Sequence, residues 1–320
     1  LMAEYKAIKG FNIQTFSSDP SNLQLGEMWY NSSLGKVRVT KLGAGAWSTG
    51  NNYNASVNSP GGTGSQTAGL GYGGGGAYTS TGEYDGTTWT GGGTGNVNRY
   101  QLNNMVGTQT AAMVCGGRGG GGPNPILDSS ENYDGATWTA SGDMNIAKTG
   151  ICGIGTQTAG FIVGGKQSPP INEFYNGASF TASADLNTLR GDGGDAGTQT
   201  AAVYMGGEPG PMVVTEDWNG TSWTEVATLN SGRYGAASWG TANSAIFAQG
   251  YPVVPLTESW DGTSWTELAD SPTGKSAVGS SGGPAGTHDA GVQFAGSPGN
   301  TNECFEWTVP PPSAGDVTTS

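Results

Sequence analysis

Five basic residues, Arg99, Lys148, Arg190, Arg233 and Lys275, recur at one offset along this chain, and a glutamate recurs in step with them: Glu131, Glu173, Glu216, Glu258 and Glu303. Cations and carboxylates at fixed places can do two things. They can pair, tying one strand to another inside a repeated unit. Alternatively, the cations can stand free as a ring that binds an acidic group, with Arg99, Arg190 and Arg233 as its planar, bidentate members. Pairing is the simpler account, because a feature present in nearly every repeat serves the fold. The first repeat has Ser56 and Val57 where the base would stand, and Gly82 in place of the glutamate, with Glu83 one residue off. Cation and anion are lost there together.

Other chemistry is sparse. His288 is the single histidine and occupies the place of a glutamine in the last repeat, so it reads as a substituted structural residue. A Ser–His–Asp triad would have to use it, and no nucleophile elbow accompanies it. Cys115, Cys152 and Cys304 lie in apolar runs without a CxxC or an even framework, which predicts free buried thiols. No catalytic residue, metal site or cofactor is expected. A net charge of −13 argues against nucleic acid or an anionic membrane as the target. No apolar run reaches the roughly 18 residues of a membrane span, and no secretory signal pattern opens the chain, which disfavours export by the usual route.

The elements that position these residues are repeats. A strand signature such as GTQTAAMVCGG (107–117) precedes a hairpin such as ENYDGATW (131–138). From the glutamine to the first residue of the Gly pair is always seven residues: Gln66 to Gly73, Gln109 to Gly116, Gln157 to Gly164, Gln199 to Gly206. Degenerate copies run from Ala242 to Gln249 and from His288 to Ala295. The hairpin aromatic is followed five residues later by another, as in Tyr84–Trp89, Tyr133–Trp138, Tyr175–Phe180, Trp218–Trp223 and Trp260–Trp265. The intervening Asp-Gly or Asn-Gly is a strong hairpin-turn signal. A period of roughly 42–48 residues matches four-stranded propeller blades. Each repeat therefore reads as strands a to d, with small residues in strand a nearest the axis and the strand d aromatic packed between blades.

The sixth repeat lacks the turn and the second aromatic after Phe305. GAWST (45–49) matches TSWTE (263–267), so Trp47 is expected to supply the missing strand d and close the ring by strand exchange between the termini. The fold class expected is all-β: a six-bladed propeller over 43–309, a short β leader over 1–42, and a loose Pro-rich tail over 310–320.

The Gly pair, the strand c aromatic, the strand d Trp and the base before strand a resemble kelch repeats over about 260 residues. The TQTAAMVCGG…NYDGATW style is similar to kelch-type fibre proteins of marine bacteriophages, and SSDPSNLQLGEMWYNSSLGKVRV resembles the leader of phage virion appendages. The resemblance implies a non-enzymatic virion protein, a tail fibre or appendage. Its leader would dock onto other virion proteins or oligomerise, and its variable face would bind a host receptor or glycan. A copper radical oxidase on such a scaffold would need several histidine ligands, which this chain lacks.

The b–c loops vary most: 73–80, 118–128, 166–171, 208–214, 251–256 and 297–301. Binding residues concentrate on variable loops held by a rigid scaffold, so Tyr78, Arg118, Lys166, Met212 and Tyr251 are the candidate contacts, beside Arg99, Arg190 and Arg233. Lys148 and Lys275, with the five glutamates, are expected to form structural pairs. The alternatives are a glycan-cleaving, sialidase-like propeller, which would need an arginine cluster, and a purely structural decoration protein.

Overall fold

The computed structural model describes residues 13–317, apart from 25, 42, 77, 104, 121, 123, 168–170 and 282–287. It divides into two compact units: Ala46–Thr308, and Leu1–Gly45 with Val309–Ser320.

The larger unit is six four-stranded antiparallel sheets. Strands a to d of blade 1 are Gly61–Ser65, Ala68–Tyr72, Thr81–Tyr84 and Trp89–Gly91. Those of blade 2 are Val106–Thr108, Ala111–Cys115, Ser130–Tyr133 and Trp138–Ala140, and those of blade 3 are Ile151–Thr156, Ala159–Gly164, Glu173–Tyr175 and Phe180–Ala182. Blade 4 has Gly194–Gly197, Ala202–Met205, Thr215–Trp218 and Trp223–Glu225; blade 5 has Ala237–Thr241, Ser244–Ala248, Thr257–Trp260 and Trp265–Glu267. Blade 6 takes Gly279–Ser281, Ala290–Phe294 and Cys304–Thr308 from the end of the unit and Ala46–Thr49 from its start. This is a six-bladed β-propeller with a shared last blade.

Strand a of each blade touches strand a of the next, and that of blade 6 touches that of blade 1, so the ring is closed. The approach needs small residues: a Cβ on Gly62 would lie 2.2 Å from the Ser280 carbonyl oxygen. The repeated glutamine ties blades together. Gln109 Nε2 donates to the carbonyls of Gly69 and Tyr84, Gln157 Nε2 to those of Ala112 and Tyr133, and Gln66 Nε2 to that of Trp307 across the seam. His288 keeps this role, with Nδ1 2.7 Å from Ser244 Oγ of blade 5. The strand d indoles do the same: Trp138, Trp265 and Trp47 donate to the hydroxyls of Thr81, Thr215 and Thr257 in the preceding blades. Between blades, rings and aliphatic chains form separate cores, such as Leu70, Tyr72, Val114, Tyr133 and Trp138. The three cysteines are free and buried.

Two details differ from the sequence reading. In blade 6 the aromatic facing Trp47 is Trp307, not Phe305, which pairs with Thr49. A shift of two residues keeps every side chain on its own face, so alternation alone does not distinguish the registers. The Pro-rich tail is also not loose throughout, because Ser313–Asp316 pairs antiparallel with Lys36–Lys41.

That strand belongs to the smaller unit, a sheet in the order Gln14–Phe16, Met28–Asn31, Lys36–Lys41, Ser313–Asp316. Its centre is Asp19, which accepts from Trp29 Nε1 and Asn31 Nδ2 and pairs with Arg38 at 3.1 Å. The Asn31 hydrogen bond, with help from Trp29 and Arg38, holds the Asp19 carboxyl below its ordinary pKa. Phe16, Met28, Tyr30 and Leu34 of this sheet are exposed.

Candidate functional site

The repeated bases are interior groups. Arg99, Arg190 and Arg233 are fully buried. Arg190 donates from Nε to the Gly206 carbonyl, from NH1 to the Thr188 carbonyl and Glu216 Oε1, and from NH2 to the Tyr204 carbonyl, with its guanidinium 4.8 Å above the Tyr204 ring. Arg233 repeats this with Ser231, Glu258 and Phe247. Arg99 Nε lies 3.5 Å from Glu131 Oε2, and its other nitrogens bond Gly116 and Ser129. The reading of these three arginines as ligand contacts is therefore corrected: they are closed off from the surface, and their terminal NH1 and NH2 groups bond the walls that hold them. Lys275 pairs with Glu303, whose side chain is half exposed. Lys148 makes no such contact with Glu173; its Nζ and Glu173 Oε1 are both buried without a hydrogen-bond partner. Burial pushes the Lys148 pKa down against the pull of Glu173.

The sequence reading missed the third member of this tie. Asn96, Asn145, Asn187 and Asn230, each three residues before the base, donate from Nδ2 to the same glutamates and to a strand d carbonyl. The spacing Asn-x-x-Arg/Lys was visible in the sequence.

Two residues carry the chain on from each buried base. The second has positive φ in every blade: Ser59, Gln101, Gly150, Asp192, Gly235 and Ala277. These residues form a collar on the loop face. The amides of Ser59, Ala277, Gly235 and Asp192 donate in turn to the carbonyls of Ala277, Gly235, Asp192 and Gly150, at 2.7–2.8 Å. Non-glycine residues are uncommon at positive φ, so the four found here mark a constraint the collar imposes. The first residue after the base pairs with the residue after the Gly pair of strand b, as in Tyr100 with Arg118, Gly191 with Glu208, Tyr234 with Tyr251 and Ser276 with Ser297.

The backbone thus repeats while the side chains it presents change completely, and they gather chemistry in blades 2 to 5. A recess of about 200 Å³ is lined by Ser59, Gln101, Asn103, Lys166, Asp192, Tyr234, Tyr251 and Ser276. Lys166 Nζ lies 2.6 Å from Asp192 Oδ2 and 2.6 Å from Glu208 Oε1. Glycines make room for its stem: a Cβ on Gly150 would meet Lys166 Cε at 2.9 Å and Asp192 Oδ1 at 2.5 Å, and one on Gly191 would meet Lys166 Cγ at 3.0 Å. Asn103 Nδ2 reaches Asp192 Oδ1 at 3.4 Å. Tyr234 and Tyr251 face each other with ring centroids 5.0 Å apart, and Tyr251 is 47% exposed. Burial raises the Asp192 carboxyl above its ordinary pKa although Lys166 opposes it. The two carboxylates raise the Lys166 ammonium against the desolvation that would lower it, and burial raises Tyr234.

Of the candidate contacts, Lys166 and Tyr251 line this recess. Arg118 reaches its edge through Gln101 Oε1, 2.9 Å from Arg118 Nε. Tyr78 packs beside Tyr100 instead, and Met212 is held in its loop by the Gly207 carbonyl. Asp192 and Tyr234 were not anticipated, because the residues following each base read as connectors; Glu208 opens the variable 208–214 loop, from which Met212 was singled out instead. Among the described residues no cluster of three or more His, Cys, Asp or Glu could hold a metal.

No protein-family model matches this chain, and no curated protein does. Solved structures do match. One, described as "Structure of YjhT", has a TM-score of 0.67 and 11% identity over 83% of this chain and 99% of its own. The expectation of a non-enzymatic chain is not upheld by this likeness. At 11% identity the likeness shows the fold, and the six-bladed β-propeller is the identity it supports.

Proposed function

We propose that this protein is a glycan-processing propeller that binds and cleaves a neutral polysaccharide on its loop face. The observation that carries the reading is the joining of Asp192 and Glu208 through one ammonium at the edge of a recess walled by two tyrosines. Glycoside hydrolysis uses a carboxylic acid to protonate the leaving oxygen and a second carboxylate to attack or to activate water. Burial keeps Asp192 protonated to higher pH than an ordinary aspartate, as the acid role requires. Glu208 is the carboxylate. Two oxygens each 2.6 Å from one nitrogen are no more than about 5 Å apart, closer than the roughly 6.5–9.5 Å of an inverting pair. The exposed Tyr251 ring offers a sugar an apolar face and a hydroxyl.

A sialidase-like site would need an arginine cluster for an acidic sugar. The repeated arginines face inward here, and the one cation at the site, Lys166, is already bound by two carboxylates, Asp192 and Glu208. The substrate class that fits is therefore neutral or amino sugars.

The test is release of p-nitrophenol from neutral, amino and sialic acid glycosides. The expected result is turnover of a neutral or amino glycoside, with Asp192→Asn and Glu208→Gln each losing about 10²–10⁴-fold in kcat while remaining folded. Activity should fall as pH rises through the raised Asp192 pKa. Wild-type protein inert on all neutral and amino glycosides, or both variants fully active, would sink the reading.

The setting proposed for this activity is a virion appendage attached through residues 1–42. What supports it is the leader's resemblance and the exposed Phe16, Met28, Tyr30 and Leu34 of its sheet. Gold-labelled antibody against residues 46–308 tests it, and particles that take no label would overturn it.

A further inference from the structure

The recess at the collar has a neighbour. Outward from it, between blades 3 and 4, lies a cleft of about 470 Å³ lined by Lys166, Leu189, Glu208, Pro209 and Gly210. Lys166 lines both cavities, and its Nζ is bound on one side by Asp192 in the recess and on the other by Glu208 in the cleft. The two cavities adjoin, with an ion-paired lysine at the junction. The backbone there is fixed, with Glu208 and Gly191 exchanging both amide hydrogen bonds, at 2.8 and 3.1 Å.

The outer half has a different character. Leu189 precedes the inward-facing Arg190 and points the other way, leaving it 42% exposed beside Pro209. Gly210 adopts positive φ and has nothing within 4 Å of where a side chain would begin, so the cleft is open above it. An apolar floor, charged groups at one end and an open roof suit a polymer unit that continues out into solvent. The recess alone is small for an enclosed ligand; pockets that hold one are typically ~300–1,000 Å³, and the cleft supplies the missing space.

We propose that this groove takes an extended glycan of at least two or three units, one in the collar recess and the next over Leu189. The inference rests on the glycan reading of the recess and adds a second subsite to it. It makes the protein a reader of internal chain segments rather than of a single terminal sugar.

The experiment is calorimetric titration of the full chain, carrying Glu208→Gln to stop turnover, with gluco-, manno- and N-acetylglucosamine oligomers of one to four units. The same series is repeated on Leu189→Ala and Leu189→Asp, exposed substitutions outside the carboxylate pair. The expected result is an affinity rising roughly tenfold or more from one unit to three, about 1.4 kcal/mol per decade. Both Leu189 variants should lose most of that gain while binding the single sugar as before. Affinity independent of length, or Leu189 variants that weaken one unit and three equally, would overturn the second subsite and leave the recess standing. Absence of binding by every sugar would overturn the recess reading and the groove with it.

Discussion

Blades 1 and 5 are built on the same four strands and fill the space between strands a and c by opposite means. In blade 5 a buried guanidinium, Arg233, bonds Glu258, which also accepts from the Asn230 amide and side chain. In blade 1 the base is Val57, the glutamate is Gly82, and the Tyr53 ring lies so close to that glycine that a Cβ there would meet it at 2.4 Å. Tyr53 packs on Trp89 and Phe294, with centroids 4.8 Å apart in each case. What the fold requires is a filled joint, and an ion pair or an aromatic ring will serve. The two solutions differ in what breaks them. An aromatic joint loses area and packing when cut, whereas an ionic joint leaves an uncompensated buried charge.

The largest expected effect comes from cutting the ionic joint. Glu258→Ala strands Arg233, and loss of one partner of a buried pair costs about 3–5 kcal/mol, to be read from the denaturant midpoint. A loss below about 1 kcal/mol would show that the joint is not stabilised as described. Next is importing the glutamate into blade 1. Gly82→Glu collides with Tyr53 and buries an unpaired carboxylate, and overpacking alone costs about 1–3 kcal/mol; an unchanged melting temperature would refute the aromatic joint.

Blade 3 sharpens the contrast from the other side. Lys148 occupies the base position yet leaves its own Nζ and Glu173 Oε1 without partners. Lys148→Arg should supply the forked donors seen at Arg190 and raise stability by about 1 kcal/mol, the net worth of a typical hydrogen bond. Destabilisation by that substitution would mean that the pocket is shaped for an ammonium.

The smallest effect lies at the hairpin turns. Asp261 Oδ1 accepts from the amides of Thr263 and Ser264 and from the Thr263 hydroxyl, and these bonds lower its pKa to about 2. The folded pKa lies below the unfolded one, near ~3.9. The contribution is therefore complete above the unfolded value and is lost as pH falls towards 2. Blades 3 and 4 use Asn176 and Asn219 at the same turn, with amides bonded in the same way. Asp261→Asn should flatten the acid limb of stability between about pH 4 and 2 without changing it at neutral pH. An unaltered acid limb would count against the turn as its source.

The blades, the turns and the Trp47 exchange were legible because each rests on a local, repeated demand: a positive-φ turn, alternation, or an aromatic at fixed spacing. The candidate site was legible only in part. Lys166 and Tyr251 stood out in loops that break the repeat. Asp192 and Tyr234 did not, because their importance comes from where a collar of left-handed residues points them, and an isolated Asp or Tyr beside a glycine carries no sign of that; Glu208 sat in a variable loop, but its meeting with Lys166 of the preceding blade is visible only in space. The inward turn of Arg99, Arg190 and Arg233 was likewise ambiguous, since a base before a small-residue strand fits a free ring as well as a buried tie. The asparagine three residues earlier would have settled it, because an amide that recurs with the base and the glutamate forms the rest of a closed hydrogen-bond set.

The shared sixth blade has a consequence for biosynthesis. During translation five blades can be assembled in the order in which they emerge, but Ala46–Thr49 must wait for Cys304–Thr308, its partner in the sheet. A nascent chain interrupted before that point holds an unsatisfied strand edge and an unclosed seam at Gln66. Such an intermediate is a natural substrate for chaperones and proteases, and completion of the ring certifies that the whole propeller has been made.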